Sequence, residues 1–142
     1  LKNKIKFSDG IGHVLTKGKS ALVFVYGQFF TNEILITNKL LSSNKITLQI
    51  INMSSLNKFN RTWLKKIVRN YRYIFTIDDH SIVGGLGDNL LSKLHELKIF
   101  NNKKFFKIGI NEFPKCGTIE EVLKYHKLDS KSLAKYILNK IK

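Results

Sequence analysis

A chain of 142 residues with 43% hydrophobic content has the material for one globular domain around one core and leaves no room for a second full domain. No run approaches the roughly 18 apolar residues of a membrane-spanning helix, and the opening Leu1-Lys2-Asn3-Lys4-Ile5-Lys6 lacks the apolar centre of a signal peptide. A formal charge of +15 would attract phosphate backbones, but the excess is nearly all lysine; only Arg61, Arg69 and Arg72 carry the guanidinium fork that specific readout favours, so nucleic acid is not the expected partner.

Residues 1–10 read as a linker, and the absence of an initiating Met points to trimming or a fragment. Ile11 to Leu15 is a short strand, Thr16-Lys17-Gly18-Lys19 a turn and Ala21 to Tyr26 a second strand, which together predict a hairpin. The unbroken apolar run 21–26 implies burial on both faces, the mark of a central strand in a helix-covered parallel sheet. Gly27 ends it, and Phe30, Ile34, Leu35 and Leu41 recur at near-helical spacing through 28–42. Lys45 to Met53 is the next strand, followed by a polar turn and by Asn60 as the cap of a helix. That helix turns Leu64, Ile67 and Val68 inward and Lys65, Lys66 and Arg69 outward.

Tyr71 to Ile77 reads as a strand that runs into a turn of acid, imidazole, hydroxyl and glycine, Asp78 to Gly87. A helix follows at 88–97 with Leu86, Leu90, Leu91, Leu94 and Leu97 as its buried stripe, then a strand from Phe105 to Ile110. Thr118 with Glu121 forms a capping box for a helix ending near His126, and Asp129 caps a terminal helix whose inner face is Leu133, Tyr136, Ile137 and Ile141. This alternation predicts an α/β domain over 11–142. It would be a three-layer open sheet of four parallel strands plus one short antiparallel strand, with helices on both faces.

In such sheets ligands bind beyond the carboxyl ends of the strands, which here gathers Gly27, Gln28, Ser54, Asn57, Asp79, His80, Ser81, Asn111 and Glu112. Dinucleotide binding would require G-x-G-x-x-G after the first buried strand, where Gly27-Gln28-Phe29 stands instead, and there is no Walker sequence. Asp79, His80 and Ser81 cannot form a relay, because neighbours on extended backbone face opposite sides, and no G-x-S-x-G elbow occurs. His13, His95 and His126 lack zinc-ligand spacing and read as surface or structural histidines. A single cysteine, Cys116, excludes an internal disulfide and fits a reducing, cytoplasmic setting; it reads as a buried or incidental thiol. Tyr71, Tyr73 and Phe75 read as core aromatics, since the RNP pattern is missing.

Taken in order, several stretches resemble the C-terminal domain of the transketolase family. They are Gly18-Lys19 before Leu22-Val23-Phe24-Val25-Tyr26-Gly27; Ile50 to Asn60; Asp78-Asp79-His80-Ser81-Ile82-Val83-Gly84-Gly85-Leu86-Gly87; and Ile108 to Phe113 followed by Cys116 to Asp129. The resemblance implies a parent enzyme that uses thiamine diphosphate and Mg to move a two-carbon ketol unit from a ketose to an aldose. It places that cofactor between the two preceding domains, so no catalytic, cofactor-binding or metal-ligating residue carries over to this chain. What carries over is the His-Ser-x-x-Gly-Gly turn, which resembles the family's contact with the neighbouring domain and partner chain. Asp79, His80, Ser81, Gly84 and Gly85 are therefore expected as docking residues, with Gln28 and Asn57 in the same interface or possible ligand crevice. The implied partners are the preceding cofactor-binding domains or subunit and a second copy in a homodimer, with no membrane.

Three departures suit a split transketolase or a sugar-modifying homologue: Asp78-Asp79 in place of two glutamates, Phe113-Pro114-Lys115-Cys116-Gly117 in place of Phe-Gly-x-Ser-Gly, and Asn57-Lys58 in place of Asn-Pro. Deoxyxylulose-phosphate synthase and the beta chain of 2-oxoacid dehydrogenases remain open as related families. The alternative is a stand-alone module that binds a phosphate or other anion at the strand-end crevice, helped by the N-terminus of the third helix.

Overall fold

The computed structural model describes residues 9–142, so the expected linker lies outside the described residues except for Asp9 and Gly10. The elements follow in the order β1 (His13–Thr16), β2 (Ala21–Val25), α1 (Gln28–Ser42), β3 (Leu48–Asn52), α2 (Arg61–Val68), β4 (Tyr73–Ser81), α3 (Leu86–Glu96), β5 (Lys104–Ile110), α4 (Ile119–Tyr125) and α5 (Ser130–Ile141). The strands form a single sheet in the order β1-β3-β2-β4-β5. All neighbours are parallel except β1, which runs antiparallel to β3. This is the predicted α/β architecture.

Strand β2 sits at the centre and is buried along its whole length. Alternation of side chains sends Ala21, Val23 and Val25 to one face with Ile50, Phe75 and Ile77, under α1, α4 and α5. Leu22 and Phe24 go to the other with Ile51 and Ile74, under α2 and α3. Two apolar layers on one sheet explain why the run 21–26 shows no polar alternation. Tyr73 and Phe106 pack against the first layer and Tyr71 against the second, so the aromatics of the 71–75 stretch serve the core as expected.

The three predicted side-chain caps form. Asn60 accepts from the Trp63 amide at 3.0 Å, Asp129 from the Ser132 amide at 3.2 Å, and Thr118 with Glu121 closes a reciprocal capping box. Helices α1, α3 and α4 are each followed by a lysine in the left-handed region, Lys45, Lys98 and Lys127.

Two expectations are corrected. The first two strands do not form a hairpin: β1 pairs with β3, in the register His13↔Asn52 and Val14↔Ile51 with an irregularity before Thr16↔Ile50. The β2–α1–β3 crossover places β3 beside β2, so the position a hairpin would need is already taken. The connection instead crosses the start of β3. Ser20 donates to the Thr47 carbonyl at 2.9 Å, and Gly18 lies so close to the Leu48 backbone that a Cβ would collide with it. The second correction concerns the third parallel strand, which does not end at Ile77 but continues through Asp78, Asp79 and His80 to Ser81. Its pairing with β5 slips between Ile77 and Ser81. The turn proper is therefore 82–85, and the polar residues stand on extended backbone.

Candidate functional site

On that extension, successive side chains face opposite ways, so of two adjacent acids one turns in and the other out. Asp78 is fully buried and Asp79 is exposed. The Asp78 carboxylate accepts the Leu86 amide at 2.7 Å on Oδ1 and the Gly87 amide at 3.1 Å on Oδ2. It thereby satisfies two N–H groups that the first turn of α3 would leave unpaired, in a place where the helix dipole favours negative charge. The Tyr26 hydroxyl donates its one proton to Asp79 Oδ1 at 2.7 Å and accepts from the Asp79 amide at 3.2 Å, so its 3.4 Å approach to Asp78 is the secondary contact. Burial, reinforced by that donation to Asp79, pushes the Tyr26 phenol well above its ordinary pKa.

The glycines serve this arrangement. Gly84 has φ +82° and open space around it, so it is needed for its conformation. Gly85 caps α3 with ordinary dihedrals but is needed for its size: a Cβ there would strike the Asp78 carboxylate and lie 2.7 Å from His80 Cε1. Behind the turn, Asp88 accepts the Gly84 amide at 2.8 Å and the Lys107 ammonium at 2.6 Å, tying α3 to β5. The bond from Lys107, then that from Gly84, hold the Asp88 carboxyl below its usual range. Because the folded-state value is the lower one, its contribution is full above the unfolded carboxylate pKa and is lost as pH falls through the folded value. Asp88→Asn is thus expected to flatten the stability profile below about pH 4, by under ~1 kcal/mol given solvent screening of a side chain 38% exposed. Urea unfolding across that range measures it.

Asp79, His80, Ser81, Gly84 and Gly85 are brought together at the β4–α3 junction. His80 is exposed; its Nδ1 lies 2.8 Å from the Ser81 carbonyl, which can only accept, so that nitrogen carries the proton. Ser81 Oγ accepts the Val83 amide at 3.1 Å. Gln28 opens α1 and Asn57 stands in the loop after β3, both exposed. The carboxyl ends of β3, β2 and β4 are neighbours, but the side-chain bond recorded for Asn57 is local, to Ser55 at 3.5 Å, and no hydrogen bond ties Gln28 or Asn57 to the junction among the described residues. Sequence reasoning missed Tyr26 as a participant and treated Asp78 as one more turn residue. The readable signals were a polar-tipped aromatic ending an apolar strand and a doublet of acids on extended backbone.

His126 is enclosed, its Nε2 accepting the Lys115 amide at 3.3 Å with Glu112 3.6 Å from Nδ1, which makes it structural. Cys116 is exposed rather than buried, since the stretch from Asn111 to Glu121 lies entirely on the surface. Among the described residues no three His, Cys, Asp or Glu side chains converge as a metal would require, and no helix is long and apolar enough to cross a membrane. The anion-crevice alternative is not favoured: the amides at the start of α3 are already engaged by Asp78 and Asp88, two carboxylates that would repel a phosphate. Outward the junction offers a mixed surface, with Val83 71% exposed next to exposed Asp79, His80 and Ser81; in the loop after the neighbouring strand β5, Phe113 is 90% exposed.

Comparison with known proteins agrees with this geometry. The profile of the transketolase C-terminal domain matches residues 10–133. A protein of Methanocaldococcus jannaschii, provisionally described as a transketolase C-terminal section, is 32% identical over 96% of this chain and 42% of its own length. A 1-deoxy-D-xylulose-5-phosphate synthase of Caldanaerobacter subterraneus subsp. tengcongensis is 26% identical over 100% of this chain and 22% of its own length. A solved split-gene transketolase, described as an inactive beta4 tetramer, superposes with a TM-score of 0.82 at 26% identity, covering 95% of this chain and 43% of that one. Transketolase of Pichia stipitis shares the fold at a TM-score of 0.65. The chain spans less than half the length of these curated relatives.

Proposed function

The chain belongs to the transketolase C-terminal domain family, and from that premise we propose that it is the docking and assembly domain of an enzyme that transfers a two-carbon ketol unit between sugar phosphates, inert by itself. The observation that carries this reading is the self-satisfied junction. Its amides and inner carboxylate are engaged with each other, while Val83 in the turn and Phe113 in the loop after the adjacent strand β5 stand uncovered, which supports a surface built for a neighbour rather than for a solute. Residues 1–10 would join it to what precedes, in the cytoplasm.

Thiamine diphosphate does not fit at the β4–α3 junction. The diphosphate would need free backbone donors and a cation, and the donors at the α3 N-terminus already face two carboxylates. In this reading the cofactor and its Mg belong to the preceding domains or to a companion subunit, and the residues here take no chemical step. The split-gene neighbour, described as an inactive assembly of copies, supports a chain of this kind that self-associates yet needs a companion.

The test is reconstitution. Alone, the chain should show no ketol transfer, and joined or mixed with the cofactor-binding portion it should show activity. Val83→Glu together with His80→Ala should weaken that association about tenfold or more while leaving the chain's own melting temperature unchanged, because both side chains are exposed. Ketol transfer by the isolated chain would overturn the proposal.

A further inference from the structure

The opposite end of the sheet has the opposite charge. Because β4 and β5 are adjacent and parallel, the loops that precede them lie side by side at the amino-terminal edge. Between the loops opens a cleft of ≈ 680 Å³ lined by Arg69, Arg72, Lys103 and Lys104 with the amide side chains of Asn101 and Asn102. No carboxylate lines it, and among the described residues none of these four cations has an acidic partner. Asp78, Asp79, Asp88 and Glu112 stand instead at or just beyond the carboxyl ends of β4 and β5.

The cleft is held in shape. Lys103 Nζ donates to the carbonyls of Val68 at 2.9 Å and Tyr71 at 2.8 Å, which leaves one of its three N–H donors free. Both partners are neutral, and burial lowers its pKa, so a half-buried charge lacks a counter-charge. The Lys104 amide donates to the Arg72 carbonyl at 2.7 Å and joins the two loops. The Arg72 guanidinium and the Lys104 ammonium then lie against one ring, 5.8 and 5.6 Å from the Tyr73 centroid. Capping of the Val68 carbonyl at the end of α2 and of Tyr71 in the loop after it explains Lys103 alone. It does not explain why three further cationic residues line the same hollow.

We propose that this cleft binds a compact, multiply charged phosphate ligand, with a pyrophosphate group as its recognised part. Arg72 would supply the planar fork, Lys103 its free N–H, and Arg69 and Lys104 neutralising charge. A compact ligand is favoured over a polymer because the cationic residues of two loops line one hollow instead of following a ridge. The inference does not depend on the docking role of the other end.

Calorimetry and amide chemical-shift mapping on the full chain would use inorganic pyrophosphate as the probe, with orthophosphate and a DNA duplex as further arms. Saturable one-site pyrophosphate binding is expected, shifting the Arg72, Asn101, Asn102 and Lys104 amides. Arg72→Gln with Lys104→Gln should weaken it about tenfold or more, whereas Lys131→Gln with Lys135→Gln, an equal charge loss on α5, should change it less than about twofold. Among the described residues neither Arg72 nor Lys104 has a side-chain hydrogen bond to lose, and only their exposed contacts with the Tyr73 ring go, so that pair should remain folded and melt within a few degrees of the parent. Equal weakening by both pairs, binding that never saturates, or duplex DNA displacing pyrophosphate ever more tightly with length would each overturn the proposal.

Discussion

Asp78→Ala is expected to lower the free energy of unfolding by about 2–5 kcal/mol, the cost of stranding two buried backbone donors. The carboxylate is fully buried and takes the amides of Leu86 and Gly87, so its loss strands two donors in a space walled by the second apolar layer. Each stranded donor costs about 1–3 kcal/mol, and the favourable placement of an anion at the start of α3 goes with them. Urea unfolding gives the number. A loss below about 1 kcal/mol would mean that water takes over the carboxylate's role at the helix start. The effect should be larger than that of Tyr26→Phe, because Tyr26 donates mainly to the exposed Asp79.

Gly85→Ala should cost about 1–3 kcal/mol by overpacking, although glycine's dihedral freedom is not used at this position. The added methyl would occupy the place of the Asp78 carboxylate oxygen and crowd the His80 ring. The two substitutions should therefore not add. With Asp78 reduced to alanine the methyl has room, and Gly85→Ala in that background should cost less by about 1–3 kcal/mol, the coupling expected of side chains in contact. A double-mutant cycle measured by urea unfolding checks this. Strict additivity would show that the His80 ring, not the carboxylate, sets the limit. In either background, displacement of His80 should also weaken docking at the exposed edge.

These expectations rest on a junction that was partly legible beforehand. The glycines and acids after an apolar strand marked the place, and the ordered stretches from Gly18 to Asp129 marked the family. The division of labour between the acids was not legible, because a sequence shows Asp78-Asp79 as equals. Burial separates them. One became the internal cap of α3, and with that the helix N-terminus ceased to be available to an anion. Likewise Gly84 and Gly85 look alike in sequence, yet one is required for positive φ and the other for the absence of a Cβ.

The sequence by itself determined what depends on nearest neighbours and periodicity. The continuous apolar run 21–26 made a central strand, the caps at Asn60, Thr118 and Asp129 started three helices, and the alternation of strand and helix made the three-layer sheet. Tertiary structure alone decided which strand lies beside which, and hence that β1 joins β3 instead of its neighbour in the chain. It also decided how far β4 extends, since the pairing with β5 that carries it to Ser81 comes from residues about thirty positions away. The physical reason is one of range. Propensity and capping act over a few residues, whereas strand order, burial of a charge and the meeting of four cations from two loops exist only once distant segments are packed together.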